Sequence, residues 1–328
     1  MHVHRSGPVV KVVAPAKLNL YLEVLSRRAD GFHEIESLMA PVSLWDTLTF
    51  EATSTDQITL SCQWALPALG GIPRVARLAS GSINPTATAE QHEGLPPDAE
   101  NIVVRAVRLL QARSGHASGA RLHLTKRIPI AAGLGGGSSD AAAALVAANI
   151  GWGLDWSTEQ LAPLAAELGS DVPFFLNRSD ANSRLLGAGP AIVRGRGERV
   201  EPLAPSSVLH CVVVKPPEGL STAQVYGACR PAAAANLLSA LLDALRRGRT
   251  ALAATFLYNG LQTAAQSRSP WIARLRDEFS RLNFLGHQMS GSGTSYFGIC
   301  HHAQHARRLA AQLRQRGIGW AFAVAASC

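Results

Sequence analysis

Hydrophobic and polar positions alternate along the first sixty residues of the chain and predict β-strands there. Residues 8–13 are mostly β-branched, and Leu18, Leu20 and Leu22 alternate with polar neighbours at the period of a half-buried strand. Residues 28–31 are typical of a turn, and residues 46–51 and 57–60 predict two further strands.

The regular pattern is lost between residues 62 and 100, where alanine, proline, glycine and serine dominate. So long an aperiodic stretch is unusual inside a compact domain and predicts an insertion or a mobile flap. Beyond it, apolar spacing predicts helices over residues 101–110, 232–247, 271–282 and 303–315. Strands are predicted over residues 120–126, 208–214, 295–300 and 320–325. Helices and strands are interleaved, and the strands look antiparallel, so the predicted fold class is α+β.

The composition is that of a folded protein with a substantial core. The 328 residues are about twice the usual length of one domain, and 47% are hydrophobic while 16% are charged. Charges, glycines and prolines interrupt every apolar run before it reaches the length of a membrane helix. The first residues contain no long apolar segment typical of a signal peptide, so we expect a cytoplasmic protein without a membrane partner.

The charge is unbalanced toward arginine. There are 31 basic and 23 acidic residues, a formal net charge of +8, and only four of the basic residues are lysines. Such an excess is compatible with nucleic acid, an anionic membrane or a phosphate-bearing substrate. No block of five like charges occurs, so the charge alone leaves these classes open.

Cysteine and histidine patterns argue against metal and disulfide chemistry. The five cysteines are scattered without a Cys-x-x-Cys pair, which favours reduced thiols. His301, His302 and His305 could share a helix face, but their arginine-rich surroundings favour solvated side chains over a metal site. We therefore predict no metal ligands among these residues.

A glycine-rich segment carries the strongest chemical signal. Residues 128–149 predict a strand, a loop at residues 133–139 and an alanine-rich helix. Glycines allow backbone N–H groups to converge on an anion, and the helix adds its positive N-terminal end. The segment lacks the lysine of a P-loop and the third glycine of a dinucleotide fingerprint. Phosphate binding is favoured over a merely flexible loop.

Other candidate residues are ambiguous when taken singly. Ser157 and Gln160 form a capping-box pattern for a helix that ends near Gly169, and Asp171 follows as either a catalytic carboxylate or an ordinary N-cap. Lys17 is either catalytic or an edge lysine, and Asn19 beside it is equally ambiguous. A late turn is either an anion-binding nest or a plain hairpin loop; it comprises Ser290, Gly291, Ser292 and Gly293.

Together, these segments resemble the three motifs of the GHMP kinases, in order and spacing. The motifs are residues 15–20, 133–139 and 290–293. The resemblance implies two lobes: residues 1–176, an ATP-binding lobe of the ribosomal protein S5 domain 2-like type with an insertion at about 62–100, and residues 177–328, an α/β-sandwich. Residues 28–33 and 169–175 further resemble those members that phosphorylate the 2-hydroxyl of a diphosphocytidyl methylerythritol on the non-mevalonate route to isoprenoid precursors.

The resemblance also implies roles for individual residues. Asp171 would accept or orient the hydroxyl proton, and Lys17 would keep Asp171 ionised and attract the transferring phosphoryl group. Asn19 would bind substrate near the reacting hydroxyl, Phe32 would stack on cytosine, and His33 would read its edge. The turn at 290–293 would support the loop, and Ser138 or Ser139 would lie near Mg²⁺. The ATP phosphates would be cradled by Pro129, Ile130, Ala131, Ala132, Gly133, Leu134, Gly135, Gly136, Gly137, Ser138 and Ser139.

Two alternatives remain open from the sequence. The chain could be another small-molecule GHMP kinase, of the homoserine or mevalonate type. It could also be a nucleic-acid-binding protein on a related fold, a hypothesis supported only by the positive charge. For the favoured hypothesis we expect ATP and Mg²⁺ as cofactors, a small-molecule substrate, no nucleic-acid partner, and a monomer or weak homodimer.

Overall fold

The computed structural model of the chain describes residues 1–66, 74–77, 101–176, 189–231 and 237–328. Strands within these residues are β1 His2–Ser6, β2 Val9–Arg27, β3 His33–Ala52, β4 Ile58–Leu66, β5 Arg74–Arg77, β6 Ala120–Lys126, β7 Ala191–Gly195, β8 Arg199–Pro202, β9 Val208–Lys215, β10 Tyr258–Asn259, β11 Gly286–Met289, β12 Tyr296–Cys300 and β13 Trp320–Ser327. Helices are α1 Ile102–Ser114, α2 Gly136–Gly151, α3 Thr158–Leu168, α4 Val172–Leu176, α5 Thr222–Ala228, α6 Leu237–Arg246, α7 Thr250–Thr255, α8 Gln262–Gln266, α9 Pro270–Ser280 and α10 Ala303–Gln315. Helices and strands are interleaved throughout, as predicted for an α+β chain.

Two compact units divide the chain, and they alternate along the sequence. The first unit comprises Met1–Ala14, Trp45–Ile130 and Gly136–Leu176. The second comprises Pro15–Leu44, Ala131–Gly135 and Asn177–Cys328. Strands β2 and β3 each contribute one segment to both units. The lobes at 1–176 and 177–328 stay a prediction.

In its described residues, the first unit combines a sheet with four helices. Strand β6 pairs antiparallel with the end of β3 and parallel with β4, which pairs with β5. Asn101 accepts the backbone N–H of Val103 and caps α1, and Ser157 and Gln160 form the predicted capping box of α3. Nearly every residue of the alanine-rich helix α2 is buried, so this helix forms much of the core.

The predicted insertion at residues 62–100 begins with regular structure. Residues 62–66 continue β4, which pairs with β6, and β5 pairs antiparallel with β4. The expectation of an insertion or a mobile flap is therefore wrong for residues 62–66, because their backbone pairs with neighbouring strands although their side chains do not alternate. Residues 67–73 and 78–100 lie outside the described part of the chain.

The second unit is built around β9. Strands β12 and β13 pair antiparallel with its two edges, β11 extends the sheet beyond β12, and β7 pairs with β3 and β8. Helices α9 and α10 bury apolar faces that include Leu275, Phe279, Leu309 and Leu313 in the core of this unit. Apolar spacing predicted both helices, and α10 has the predicted bounds. Helix α6 begins at Leu237, and the predicted residues 232–236 before it lie outside the described part.

The half-buried pattern predicted for β2 is wrong. Lys17, Asn19, Tyr21 and Glu23 are all at most 7% exposed, like the leucines between them. The polar face can be buried because its members bond to one another, as Tyr21 does in donating its hydroxyl to Glu23. Burial, followed by the carboxylate of Glu23, raises the pKa of Tyr21.

The strand predicted around residues 128–130 is also absent from the described fold. Strand β6 ends at Lys126, and the carboxylate of Asp46 then accepts the backbone N–H groups of Arg127 and Ile128. Pro129 has no N–H to offer a sheet. The chain therefore leaves the sheet here and enters α2 at Gly136, so residues 136–139 form a helix turn rather than the predicted loop.

The predicted histidine surface is confirmed in part. His301 and His302 are exposed, and His302 caps α10 by accepting the backbone N–H of His305 at 3.2 Å. His305 itself is only 5% exposed, and its ring lies 5.3 and 5.9 Å from the rings of His301 and His302, so its predicted solvation is wrong. Among the helices described, none combines the length and the apolar character that a bilayer crossing requires.

Candidate active site

Lys17 is held in the second unit by a chain of buried hydrogen bonds. Its Nζ donates to Asn19 Oδ1 at 2.6 Å, and Asn19 Nδ2 donates to Ser37 Oγ at 2.9 Å. Ser37 in turn donates to the carbonyl of Tyr21 at 2.6 Å. With 3% of its surface exposed, Lys17 is not an edge lysine. The amide of Asn19 fixes the position of the ammonium group.

Residues 131–135 of the glycine-rich segment lie against the strand that carries Lys17. The backbone N–H of Lys17 donates to the carbonyl of Leu134 at 2.9 Å. Gly133 and Gly135 have φ of +71° and +70°, and Ala131 has φ of +50°. These are left-handed conformations that glycine adopts readily and alanine adopts rarely. The segment is thus held in the irregular backbone that a phosphate cradle requires.

The predicted supporting turn at residues 290–293 contacts the same segment. Ser290 Oγ donates to the carbonyl of Gly133 at 3.1 Å, and the N–H of Ser295 donates to the carbonyl of Ala132 at 3.1 Å. A Cβ on Gly133 would lie 2.3 Å from the Ser290 carbonyl oxygen. The second unit therefore brings together Lys17, the first half of the glycine-rich segment and the late serine–glycine turn.

Gly291, in the serine–glycine turn, lies beside the side chains of Lys17 and Asn19. A Cβ on Gly291 would lie 3.3 Å from Lys17 Nζ and 3.4 Å from Asn19 Oδ1. Asn259 Nδ2 donates to the carbonyls of Met289 and Gly291 at 2.8 and 2.9 Å, and these two hydrogen bonds hold the turn in place. The sequence analysis missed Asn259, because a lone asparagine near a short strand carries no recognisable spacing.

A second anchor of the turn comes from the segment after β9. Lys215 Nζ donates to the carbonyls of Pro216 and Glu218 at 2.6 and 2.7 Å, and Thr294 Oγ1 donates to the same Glu218 carbonyl at 2.6 Å. Burial lowers the pKa of Lys215 to about 8. The Thr222 and Ser292 hydroxyls are hydrogen-bonded at 2.8 Å.

The remaining part of the glycine-rich segment belongs to the first unit. Gly136 and Gly137 begin α2, and their N–H groups are among those that a helix start leaves without helical acceptors. Ser138 is half-buried, whereas Ser139 is fully buried. Ser139 Oγ and Asp140 Oδ1 have no hydrogen-bond partner within the described residues. The second Asp140 oxygen accepts Lys126 Nζ at 2.6 Å.

Asp171 also lies in the first unit, between α3 and α4. It is half-buried, and the N–H of the next residue, Val172, donates to the carbonyl of Gly169 at 3.2 Å. The following α4 is anchored by Phe174 and Phe175, whose rings meet edge to face at 5.0 Å. Lys17 and Asp171 thus each have a defined local setting in a different unit, and their pairing stays a prediction.

Phe32 lies in the turn between β2 and β3, and His33 begins β3. Phe32 is 47% exposed, and its N–H donates to Asp30 Oδ1 at 3.1 Å. The guanidinium of Arg196 lies 5.1 Å above the Phe32 ring. The His33 ring lies 5.3 Å from the Tyr226 ring, and burial, followed by the charge of Arg27, lowers the pKa of His33. The sequence analysis missed Arg196.

A short turn positions Arg196 over the aromatic ring. Glu198 accepts the backbone N–H of Arg196 at 2.7 Å, and Gly195 adopts φ of +76°. A Cβ on Gly195 would lie 2.6 Å from the Glu198 carboxylate. A planar cation above an exposed aromatic ring offers a surface suited to a flat heterocycle.

Two family models match the chain in the regions that contain these residues. The model described as the N terminal domain of GHMP kinases matches residues 101–178. The model described as the C terminal part of GHMP kinases matches residues 234–319. The first match includes the start of α2 and Asp171, and the second includes the serine–glycine turn.

Similar proteins cover almost the whole chain. A 4-diphosphocytidyl-2-C-methyl-D-erythritol kinase from Pelotomaculum thermopropionicum is 39% identical over 309 residues, which are 94% of each chain. A crystal structure of a 4-(cytidine 5'-diphospho)-2C-methyl-D-erythritol kinase matches with a TM-score of 0.73 and 35% identity, over 97% of this chain and 99% of that one. A homoserine kinase from Cytophaga hutchinsonii, with 18% identity and a TM-score of 0.69 over 100% of this chain and 97% of that one, shares the fold.

Proposed function

The chain belongs to the family of 4-diphosphocytidyl-2-C-methyl-D-erythritol kinases within the GHMP kinases, and we propose that it transfers the terminal phosphoryl group of ATP to the 2-hydroxyl of 4-diphosphocytidyl-2-C-methyl-D-erythritol. One observation carries the proposal. In the second unit the backbone N–H of Lys17 donates to Leu134, and Ser290 donates to Gly133. A Cβ on Gly291 would lie 3.3 Å from Lys17 Nζ, so the ammonium group lies beside the turn that supports the left-handed glycine backbone. That combination suits an anionic phosphoryl group.

The ATP phosphates would lie along residues 129–139. Backbone N–H groups of the left-handed segment and of the first turn of α2 would donate to them, and the positive end of α2 would add its charge. The carbonyl of Gly133 already accepts Ser290, which keeps that oxygen turned toward the supporting turn. Phosphoryl transfer needs mainly positioning and charge stabilisation, and such a cradle supplies both.

Lys17 and Asp171 would carry the chemistry. The substrate hydroxyl oxygen forms a bond to the γ-phosphorus while the bond to the β–γ bridging oxygen breaks and ADP leaves. Asp171 accepts or orients the hydroxyl proton, and Lys17 offsets the negative charge of the transferring group. A carboxylate near an ammonium group favours its ionised form, which a base requires.

Asn19 would have two roles. Its Oδ1 orients Lys17, and one Nδ2 hydrogen is used by Ser37. Nδ2 carries a second hydrogen, which we assign to the substrate near the reacting hydroxyl. Phe32 would stack on the cytosine ring, and His33 would read the cytosine edge.

Mg²⁺ would enter with ATP rather than in a cage of side chains. The described residues contain no group of three His, Cys, Asp or Glu side chains placed to hold a metal. Mg²⁺ commonly keeps waters and substrate phosphates as ligands and needs few protein oxygens. The hydroxyl of Ser138 suits this contact better than that of Ser139, because Ser139 is fully buried. The ion would neutralise charge on the phosphates.

The proposal is tested with the purified chain, ATP and Mg²⁺ in a coupled assay for ADP. The acceptors compared are the diphosphocytidyl substrate, plain methylerythritol, homoserine and mevalonate. We expect kcat/KM for the diphosphocytidyl substrate to exceed that for methylerythritol by at least about 100-fold. Phosphorus NMR of the product should show a new phosphomonoester and an intact diphosphate.

Other outcomes would identify the alternatives. Equal efficiency with methylerythritol would remove the role of cytidine, and preferred turnover of homoserine or mevalonate would identify another GHMP kinase. Tight, salt-dependent RNA binding without any turnover would favour a nucleic-acid-binding protein. Action in the cytoplasm, as a monomer or weak homodimer, is also part of the proposal, and sedimentation at micromolar concentration tests the oligomeric state.

A further inference from the structure

Three charged side chains are buried together in the first unit, outside the residues assigned to the reaction. Lys126 Nζ lies 2.5 Å from Asp46 Oδ2 and 2.6 Å from Asp140 Oδ2. All three side chains are at most 4% exposed. Burying charged groups is unfavourable, and a buried ion pair by itself is weak evidence for a stabilising role. We therefore consider a role for these three side chains in positioning the backbone around them.

Each member comes from a different element. Asp46 lies on β3 and Lys126 ends β6, one position beyond the pair Thr47 and Thr125 in the antiparallel register. Asp140 lies at the start of α2. Asp46 Oδ1 also accepts the N–H of Ile128 at 2.9 Å. The three side chains thus connect the residues that enter the phosphate-binding segment with the helix turn that leaves it.

Gly136, at the start of α2, leaves little space for a side chain beside Lys126. A Cβ on Gly136 would lie 2.8 Å from Ile128 Cγ2 and 3.4 Å from Lys126 Nζ. The absence of a side chain at Gly136 allows the backbone of α2 to come this close. The orientation of the first N–H groups of α2 consequently depends on where Lys126 is held.

We propose that Asp46, Lys126 and Asp140 form an ionic clip that positions the first turn of α2 for the phosphates of ATP. This inference rests on the proposed function, because it assigns ATP to that turn. Lys126 is then a positioning residue, which acts through the helix backbone and touches no substrate. Asp46 holds the entry of the segment, and Asp140 holds its exit.

The two carboxyl groups of the clip share one ammonium group. Burial, together with the charge of Asp46, raises the pKa of Asp140 well above its usual range despite the opposing effect of Lys126. Burial alone would lower the pKa of Lys126, but Asp140 and Asp46 outweigh it and raise that pKa. Asparagine keeps an oxygen acceptor for Lys126 and lacks the carboxyl group whose ionisation burial opposes, so it should replace Asp140 well.

The test compares the variants Lys126→Met, Asp140→Ala and Asp140→Asn by steady-state kinetics and thermal unfolding. We expect Lys126→Met and Asp140→Ala to raise KM for ATP by about tenfold, while KM for the acceptor stays within about twofold. Asp140→Asn, which keeps an oxygen acceptor for Lys126, should restore KM for ATP to within about twofold of wild type. Asp140→Ala keeps the pair between Lys126 and Asp46, so it remains informative if Lys126→Met fails to fold.

Arg121→Met is the matched control. Arg121 pairs with Glu51 at 3.0 Å across the same two strands, but the pair is exposed. This variant should leave both KM values within about twofold of wild type. Unchanged KM for ATP in folded Asp140→Ala would overturn the inference, as would equal increases of both KM values.

Failure of the proposed function is recognised separately. If the wild type binds ATP but phosphorylates none of the acceptors, the proposed function fails, and calorimetric Kd values for ATP then test the clip in the same variants. A wild type that neither turns over nor binds ATP overturns both.

Discussion

Asn19 Oδ1 accepts a hydrogen bond from Lys17 Nζ at 2.6 Å, so the orientation of one buried amide sets the position of the candidate catalytic ammonium. The amide is itself oriented by Ser37 Oγ, which accepts Nδ2 at 2.9 Å and is fully buried. Lys17 is therefore fixed through two successive side-chain hydrogen bonds within one unit.

Replacing Ser37 with alanine should weaken catalysis, although Ser37 acts through Asn19 and Lys17 and not by contact with the substrate. Loss of the acceptor leaves Asn19 Nδ2 unsatisfied, at a cost of about 1–3 kcal/mol, and allows the amide to turn. We expect kcat to fall by about tenfold, while KM for ATP changes by less than about threefold. Ser43→Ala is the control. Ser43 lies on the same strand as Ser37, β3, but its Oγ accepts the N–H of Ala325 on β13. A Ser37→Ala enzyme with unaltered kcat would remove Ser37 from the positioning of Lys17.

Alanine at Asp171 or at Lys17 should abolish most of the turnover and leave the fold intact. Removing a general base or a charge stabiliser lowers kcat by on the order of 10²–10⁴. Stopped assays with the purified variants measure kcat, and circular dichroism checks the fold. Exposed charges provide the controls: Glu167→Gln in α3 for Asp171, and Lys11→Ala in β2 for Lys17. A variant that retains wild-type turnover would lose its catalytic assignment.

Alanine at Gly133 should displace the proposed phosphate-binding segment. The new Cβ would lie 2.3 Å from the Ser290 carbonyl oxygen at a residue with φ of +71°. Contact at that distance requires the backbone to move, so we expect KM for ATP to rise by about tenfold or more and Tm to fall. Gly248→Ala is the control. Gly248 has φ of +65° and nothing within 4 Å of a Cβ, so alanine there introduces backbone strain without a steric clash. Equal effects of both variants on Tm, with no change in KM, would argue against the cradle.

Glycine spacing predicted that residues 133–139 bind phosphate, which stays a prediction. The structure brings Gly133 against Ser290, which is 157 residues away in the chain. The ionic clip could not be predicted, because Asp46 and Asp140 lie 80 and 14 residues from Lys126 with no shared motif. Most of β3 was missed, since a strand buried on both faces shows no alternation. Local patterns identify residues whose chemistry depends on their neighbours in sequence, but not polar pairs created by packing.

Alanine at Phe32 should affect only the cytidine end of the substrate. Stacking of a base on an aromatic ring contributes about 1–3 kcal/mol, so KM for the diphosphocytidyl substrate should rise by about tenfold. KM for ATP and kcat should stay within about twofold, because Phe32 is placed away from the phosphoryl group in the proposal. Leu25→Ala is a matched control, since Leu25 and Phe32 are both 47% exposed. An unchanged acceptor KM in Phe32→Ala would separate Phe32 from the cytosine site.

Lys215 should make the stability of the protein depend on alkaline pH. Burial lowers its pKa from 10.5 to about 8, so between these values the folded chain binds fewer protons at Lys215 than the unfolded chain does. The free energy of unfolding contributed by Lys215 therefore rises with pH across this window and is constant below it. Urea unfolding from about pH 7 to pH 10 should show the wild type gaining stability relative to Lys215→Met as pH increases. The exposed variant Lys11→Met should run parallel to the wild type, and parallel curves for Lys215→Met as well would show that Lys215 is not titrating in this window.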